Sequence, residues 1–166
     1  MATPTLKDRI TCHVLDTSLG KPARGVRVKL ELEHDPLLHS SSTTTASSTA
    51  SPSATIHPHH PLVGGAPKVF EGQTNDDGRI TSWLPDASAH SSGEVPVYTL
   101  EDVLESLPKG VGPSRWTLRF DTGAYFGGED KTFFPEVVVV FRVDEGQHYH
   151  VPLLLAPYSY STYRGS

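Results

Sequence analysis

Val26-Arg27-Val28-Lys29-Leu30-Glu31-Leu32-Glu33 alternates apolar and charged residues without a break. Successive side chains of a β-strand point to opposite faces, so the four apolar residues share one face and the four charged residues share the other. The stretch predicts a half-buried strand, dry on one side and wet on the other.

Working outward from it, Leu19-Gly20-Lys21-Pro22 supplies turn chemistry on the N-terminal side. Before that turn, Ile10, Cys12 and Val14 alternate with Thr11, His13 and Leu15, which marks a first strand. On the C-terminal side, Val69 to Thr74 and Arg79 to Leu84 flank Asn75-Asp76-Asp77-Gly78. The glycine can take the positive φ that a tight hairpin demands, so Arg79 is expected to open a strand at a fixed turn. Thr99-Leu100-Glu101-Asp102 has the pattern of a helix cap, and a short helix is predicted to run to about Leu107, before Pro108. Trp116, Leu118 and Phe120 alternate with Thr117, Arg119 and Asp121 as a further strand. A glycine-bearing link through Gly123, Gly127 and Gly128 then leads to Val137-Val138-Val139-Val140-Phe141, expected to be a strand buried on both faces. Tyr149, Val151, Leu153 and Leu155 share one face of a last long strand, which puts His148 and His150 together on the other. Several short strands separated by turn signals make the chain all-β and point to a β-sandwich.

At 166 residues the chain is about one domain long, and residues 1–166 are expected to form one core. The stretch from His39 to Pro67 is dominated by Ser, Thr, Ala, Pro and His, without the periodic bulky residues that offset the entropy of ordering a backbone. It is read as a disordered loop insertion, and its His57, His59 and His60, which could bind a metal, are read as solvated. A hydrophobic fraction of 36% agrees with part of the chain staying outside the core.

A formal charge of −5 provides no basic field for a phosphate backbone, so a small molecule is expected as partner and nucleic acid is not. The single Cys12 permits no internal disulfide, and Met1-Ala2-Thr3-Pro4 lacks a secretory pattern. No apolar run reaches the roughly 20 residues needed to span a bilayer, so no membrane partner is expected. Arg164-Gly165-Ser166 is not the Ser-Lys-Leu peroxisomal address. Cytosol is the expected location, with an unconventional peroxisomal route left open.

Three features carry chemistry: a histidine on the first strand, an arginine beside a turn, and the pair His148 and His150 on the last strand. A neutral imidazole, with a reference pKa of about 6.5, can take a proton from water and return it to a leaving nitrogen. An arginine stays charged and offers a planar fork of donors to a developing oxyanion. Singly, each has a plainer explanation, since a strand histidine is more often simply hydrogen-bonded and an arginine at a turn a solvated cap. His148 and His150 also have metal-like spacing, but no cysteine or carboxylate partner is evident nearby.

His148-Tyr149-His150-Val151-Pro152-Leu153-Leu154-Leu155, running into Pro157-Tyr158-Ser159-Tyr160-Ser161-Thr162-Tyr163-Arg164-Gly165-Ser166, closely resembles the signature of 5-hydroxyisourate hydrolases, the enzymatic relatives of transthyretin. Cys12-His13-Val14-Leu15-Asp16, Thr74-Asn75-Asp76-Asp77-Gly78-Arg79 and Phe134-Pro135-Glu136-Val137 resemble further motifs of that family. The likeness extends from about Ile10 to Ser166, apart from the insertion and the segment from Asp86 to about Pro113. It implies a transthyretin-like β-sandwich of about eight strands with one or two short helices. It also implies a homotetramer whose active sites lie in a channel between subunits, and hydrolysis of 5-hydroxyisourate to 2-oxo-4-hydroxy-4-carboxy-5-ureidoimidazoline in urate degradation. His13, Arg79, His150 and Ser166 are the implied catalytic residues, and His13, Arg79, Tyr163 and Arg164 the implied substrate contacts, with no metal or organic cofactor. Two alternatives stand beside it: a non-catalytic small-ligand carrier of the transthyretin type, against which the Tyr-Arg-Gly-Ser ending argues, and a metal-dependent hydrolase using His13, His148 and His150.

Overall fold

The computed structural model describes residues 7–34, 68–86, 98–110 and 112–166. The insertion at 39–67 and nearly all of the polar segment 86–93 lie outside the described residues. Among the described residues ten strands form two five-stranded sheets: β1 (Ile10–Asp16), β2 (Lys21–Pro22), β3 (Arg27–His34), β4 (Val69–Gln73), β5 (Arg79–Ile80), β6 (Leu84–Pro85), β7 (Ser114–Phe120), β8 (Val137–Val143), β9 (Tyr149–Ala156) and β10 (Ser159–Thr162). The excess of two over the eight expected lies among the two-residue strands β2, β5 and β6.

The first sheet runs β10-β9-β1-β2, and the second β6-β4-β3-β7-β8. In the first, β9 pairs in parallel with the whole of β1, so β2 and β5 must share the opposite flank of β1, at Leu15–Asp16 and Cys12–His13 respectively. Alternation does what the sequence asked of it. Ile10, Cys12 and Val14 from β1 and Leu153 and Leu155 from β9 turn inward to meet Val28 and Leu30 of β3 and Trp116, Leu118 and Phe120 of β7. Each such side chain contributes about 1.5–3 kcal/mol when fully withdrawn from water.

Two expectations need correction. The apolar run Val137–Phe141 is not buried on both faces, because Val138 and Val140 are 37% and 44% exposed. Among the described residues β8 is an edge strand paired only with β7, and a sheet in a sandwich has just one covered face, so one side of an all-apolar strand is left outward in the single chain. Nor do the segments flanking Asn75–Gly78 form a hairpin. β4 belongs to the second sheet and β5 to the first, and the turn carries the chain across the sandwich. After Ile80 buries itself opposite Cys12, Trp83 anchors the return by donating from Nε1 to the Ile10 carbonyl at 2.7 Å, and β6 rejoins β4.

The helix cap is as expected. α1 (Leu100–Ser106) begins at Thr99, whose hydroxyl accepts from the Asp102 N–H while the Asp102 carboxylate accepts from the Thr99 N–H. The glycine-bearing link contains a helix not foreseen, α2 (Thr122–Phe126), capped by the Asp121 carboxylate at one end and by Gly127 at φ 87° at the other.

Candidate active site

Three adjacent strands build the site. In β1 the inward Ile10, Cys12 and Val14 leave Thr11 and His13 on the outer face of the first sheet. The parallel partner β9 sets His150 opposite Thr11, and the antiparallel β5 sets Arg79 opposite His13. Residues directly opposite in a ladder share a face, and neighbouring strands lie about 4.8 Å apart, so His150, the Thr11–His13 pair and Arg79 stand in three consecutive columns. The two imidazole centroids are 6.2 Å apart with planes tilted by 37°.

The turn explains why Arg79 arrives there in fixed register. Gly78 N–H donates to the Asn75 carbonyl at 2.9 Å, while Asn75 Oδ1 accepts from the N–H groups of Asp77 and Arg79. Gly78 has φ 72°, and a Cβ on it would sit 2.3 Å from the Val14 carbonyl oxygen, so only glycine fits between this turn and β1.

The C-terminal residues fold back over the same region. Gly165 N–H donates to the His150 carbonyl at 2.9 Å, forming a single antiparallel bridge. A Cβ on Gly165 would come within 2.7 Å of His150 Cδ2, so the absence of a side chain lets the tail lie against the ring. Ser166 thereby borders an open cavity of about 270 Å³, together with Lys7, Thr11, Arg79, His148 and His150.

Burial, then the charge of Arg79, pushes the pKa of His13 below the ordinary histidine value, against a smaller opposing effect of the Asp77 backbone hydrogen bond and carboxylate. His150 is lowered as well, by burial first and then by Arg79, His13 and Lys7. Both shifts favour the neutral ring, which can accept a proton beside a permanent cation. Among the described residues no three His, Cys, Asp or Glu side chains are grouped to hold a metal ion.

Residues 10–165 match the HIUase/Transthyretin family. The chain belongs to that family. It is 37% identical over 159 residues to a probable 5-hydroxyisourate hydrolase of Schizosaccharomyces pombe, an alignment covering 95% of this chain and 90% of the yeast protein. The solved 5-hydroxyisourate hydrolase of Klebsiella pneumoniae is similar at 27% identity and a TM-score of 0.50, covering 95% of this chain and 98% of that one. Transthyretin from Sparus aurata shares the fold at 20% identity and a TM-score of 0.54, covering 95% and 96% of the two chains.

Not every implied site residue of this HIUase/Transthyretin-family chain meets the others. Tyr163 and Arg164 border a separate cavity of about 330 Å³ with Val140, Tyr149, His150 and Thr162, and the Arg164 guanidinium lies 5.3 Å from the Tyr149 ring centroid. Tyr149 and His150 edge both cavities, so within one chain these two tail residues reach the site only from its far side. His148 precedes β9 and is exposed, so it does not share a strand face with His150, though both border the 270 Å³ cavity. Thr11 and Lys7 were missed. The position of Thr11 two residues before His13 on an alternating strand was an available signal, whereas nothing local marked Lys7.

Proposed function

We propose that this chain hydrolyses 5-hydroxyisourate to 2-oxo-4-hydroxy-4-carboxy-5-ureidoimidazoline, a step of urate breakdown, without a metal or organic cofactor. The observation that carries the proposal is the meeting of two neutral imidazoles, His13 and His150, with the Arg79 guanidinium on one sheet face. The names of the yeast and Klebsiella relatives supply the substrate. One imidazole takes a proton from water as the water oxygen bonds to the carbonyl carbon of the six-membered ring. Negative charge develops on the carbonyl oxygen and is met by Arg79. Collapse of that adduct breaks the ring carbon–nitrogen bond, the imidazolium returns its proton to the departing nitrogen, and the former carbonyl becomes a carboxylate. Ser166 orients the water or a histidine, and Tyr163 and Arg164 hold the substrate in the assembled enzyme. The outward Val138 and Val140, with the exposed Tyr160 and Tyr163, support burial of these edges between subunits of a homotetramer.

The test is the ultraviolet decay of 5-hydroxyisourate generated in place from urate. Acceleration that survives a chelator and falls by about 10² or more in His13→Ala and Arg79→Ala, both still assembled, is expected. Near-wild-type rates in both variants overturn the assignment of the site. No acceleration by the assembled wild-type protein overturns the activity.

A further inference from the structure

We propose that Thr11 is a positioning residue that holds His150 in the tautomer protonated at Nδ1 and so makes Nε2 the proton-accepting atom; the inference rests on the hydrolase proposed above. Thr11 Oγ1 lies 2.9 Å from His150 Nδ1 and 3.3 Å from the Tyr149 carbonyl oxygen. A threonine hydroxyl has one proton to give. Given to the Tyr149 carbonyl, which can only accept, it leaves the oxygen lone pairs for an N–H at Nδ1, and both contacts become hydrogen bonds. Given to Nδ1 instead, it leaves the carbonyl contact without a proton between two oxygens. Only the first arrangement satisfies both distances, and it fixes the proton at Nδ1.

The rest of the site agrees with that direction. Nε2 is bonded to Cδ2, the ring atom against Gly165, so it lies on the side where the tail brings Ser166 to the cavity. Nε2 makes no hydrogen bond among the described residues, leaving its lone pair for a ligand or water. The register is what makes the contact possible, because Thr11 and His150 are direct partners across the parallel pairing of β1 and β9. A neutral hydroxyl thus does for His150 what a buried carboxylate does for the histidine of a serine protease, where the wrong tautomer costs about 10⁴ in kcat. Threonine carries no charge, and its loss leaves both tautomers accessible, so the expected effect here is smaller.

The test is histidine-selective ¹⁵N labelling of the assembled protein, with the His150 signals assigned by comparison with His150→Gln. Above pH 7, the wild-type spectrum is expected to show Nδ1 protonated and Nε2 bare. Thr11→Val keeps the shape but removes the hydroxyl, and it should move His150 toward the Nε2-protonated form and lower kcat by about tenfold with little change in KM. Thr11→Ser, which restores the hydroxyl, should recover both the spectrum and the rate. A wild-type His150 protonated at Nε2 overturns the proposal, whether or not Thr11→Val folds. So does an assembled Thr11→Val enzyme with altered tautomer and undiminished kcat. A wild-type protein that does not hydrolyse 5-hydroxyisourate removes the activity instead, while the spectrum still reads the Thr11–His150 contact by itself.

Discussion

Gly78 and Gly146 form a matched pair from which the constraint on Arg79 can be measured. Their φ angles are 72° and 71°, so alanine at either pays the same left-handed backbone cost of about 1–2 kcal/mol, offset by about 0.4–1 kcal/mol through a less disordered unfolded chain. Their surroundings differ completely. A Cβ at Gly146 meets nothing within 4 Å, while one at Gly78 lands 2.3 Å from the Val14 carbonyl oxygen. An ordinary carbon–oxygen contact is about 3.3 Å or more, so roughly 1 Å must be gained by moving the turn off β1. That movement breaks the 2.8 Å bond from Val14 N–H to the Gly78 carbonyl, worth about 1 kcal/mol net, and adds an overpacking cost of about 1–3 kcal/mol. Gly146→Ala is therefore expected to lose between nothing and about 1.6 kcal/mol, and Gly78→Ala about 2–4 kcal/mol more. Urea unfolding of the two variants at one protein concentration reads the difference directly. Because Val14 follows His13 and Gly78 precedes Arg79, kcat/KM should fall in Gly78→Ala and hold in Gly146→Ala. Equal stability losses, or a destabilised Gly78→Ala with full activity, would refute the reasoning.

Gly165→Ala should lift the tail from His150, lowering kcat/KM by tenfold or more while leaving the urea midpoint nearly unchanged; an unaltered rate would show that the tail does not matter. Burial and Arg79 keep both histidines below the ordinary value of about 6.5, so the acid limb of kcat/KM should lie below that pH. Arg79→Gln removes one cause of the depression, and its weakened activity should show an acid limb moved upward; a limb that stays in place or moves down contradicts the electrostatic argument. The same sign governs stability: what the neutral histidines contribute is present above about pH 6.5 and is lost as pH falls through their lower folded values, which urea midpoints measured from pH 7 to pH 5 should show. The Cys12 thiol is fully buried and, by that burial, pushed up to about 12, so a thiol-reactive dye at pH 8 should label it only after unfolding. Rapid labelling of the native protein would contradict the placement of Cys12 in the core.

Much of the fold was legible because alternation is a one-strand property. Ile10–Val14, Val26–Leu32 and Tyr149–Leu155 each carry their own inside and outside. Val137–Phe141 does not, since five apolar residues in a row say nothing about which face is covered, and the answer depends on β8 having one neighbour. Asn75–Gly78 announced a turn correctly but could not announce that its two arms join different sheets, because burial of Ile80 and Trp83 against β1 decides that. The site was legible as residue types and as a family likeness, not as geometry. Nothing in the chain order says that the first and last long strands lie in parallel, and that pairing alone brings His150 beside Thr11 and His13.

The pairing of β3 with β4 has a practical side. Glu31 stands opposite Val69, and Leu32 N–H donates to the Lys68 carbonyl at 3.0 Å, so β3 and β4 part at cross-strand neighbours about 5 Å apart, while β3 itself runs on against β7 to His34. Whatever is spliced between those two points starts and finishes in one place. Each doubling of its length costs only about 0.6 kcal/mol of closure entropy. Arg79 follows the opposite end of β4, about 17 Å along a five-residue strand. This makes the junction a natural port for a fluorescent reporter or an affinity handle, where evolution or an engineer can change the cargo without retuning the chemistry.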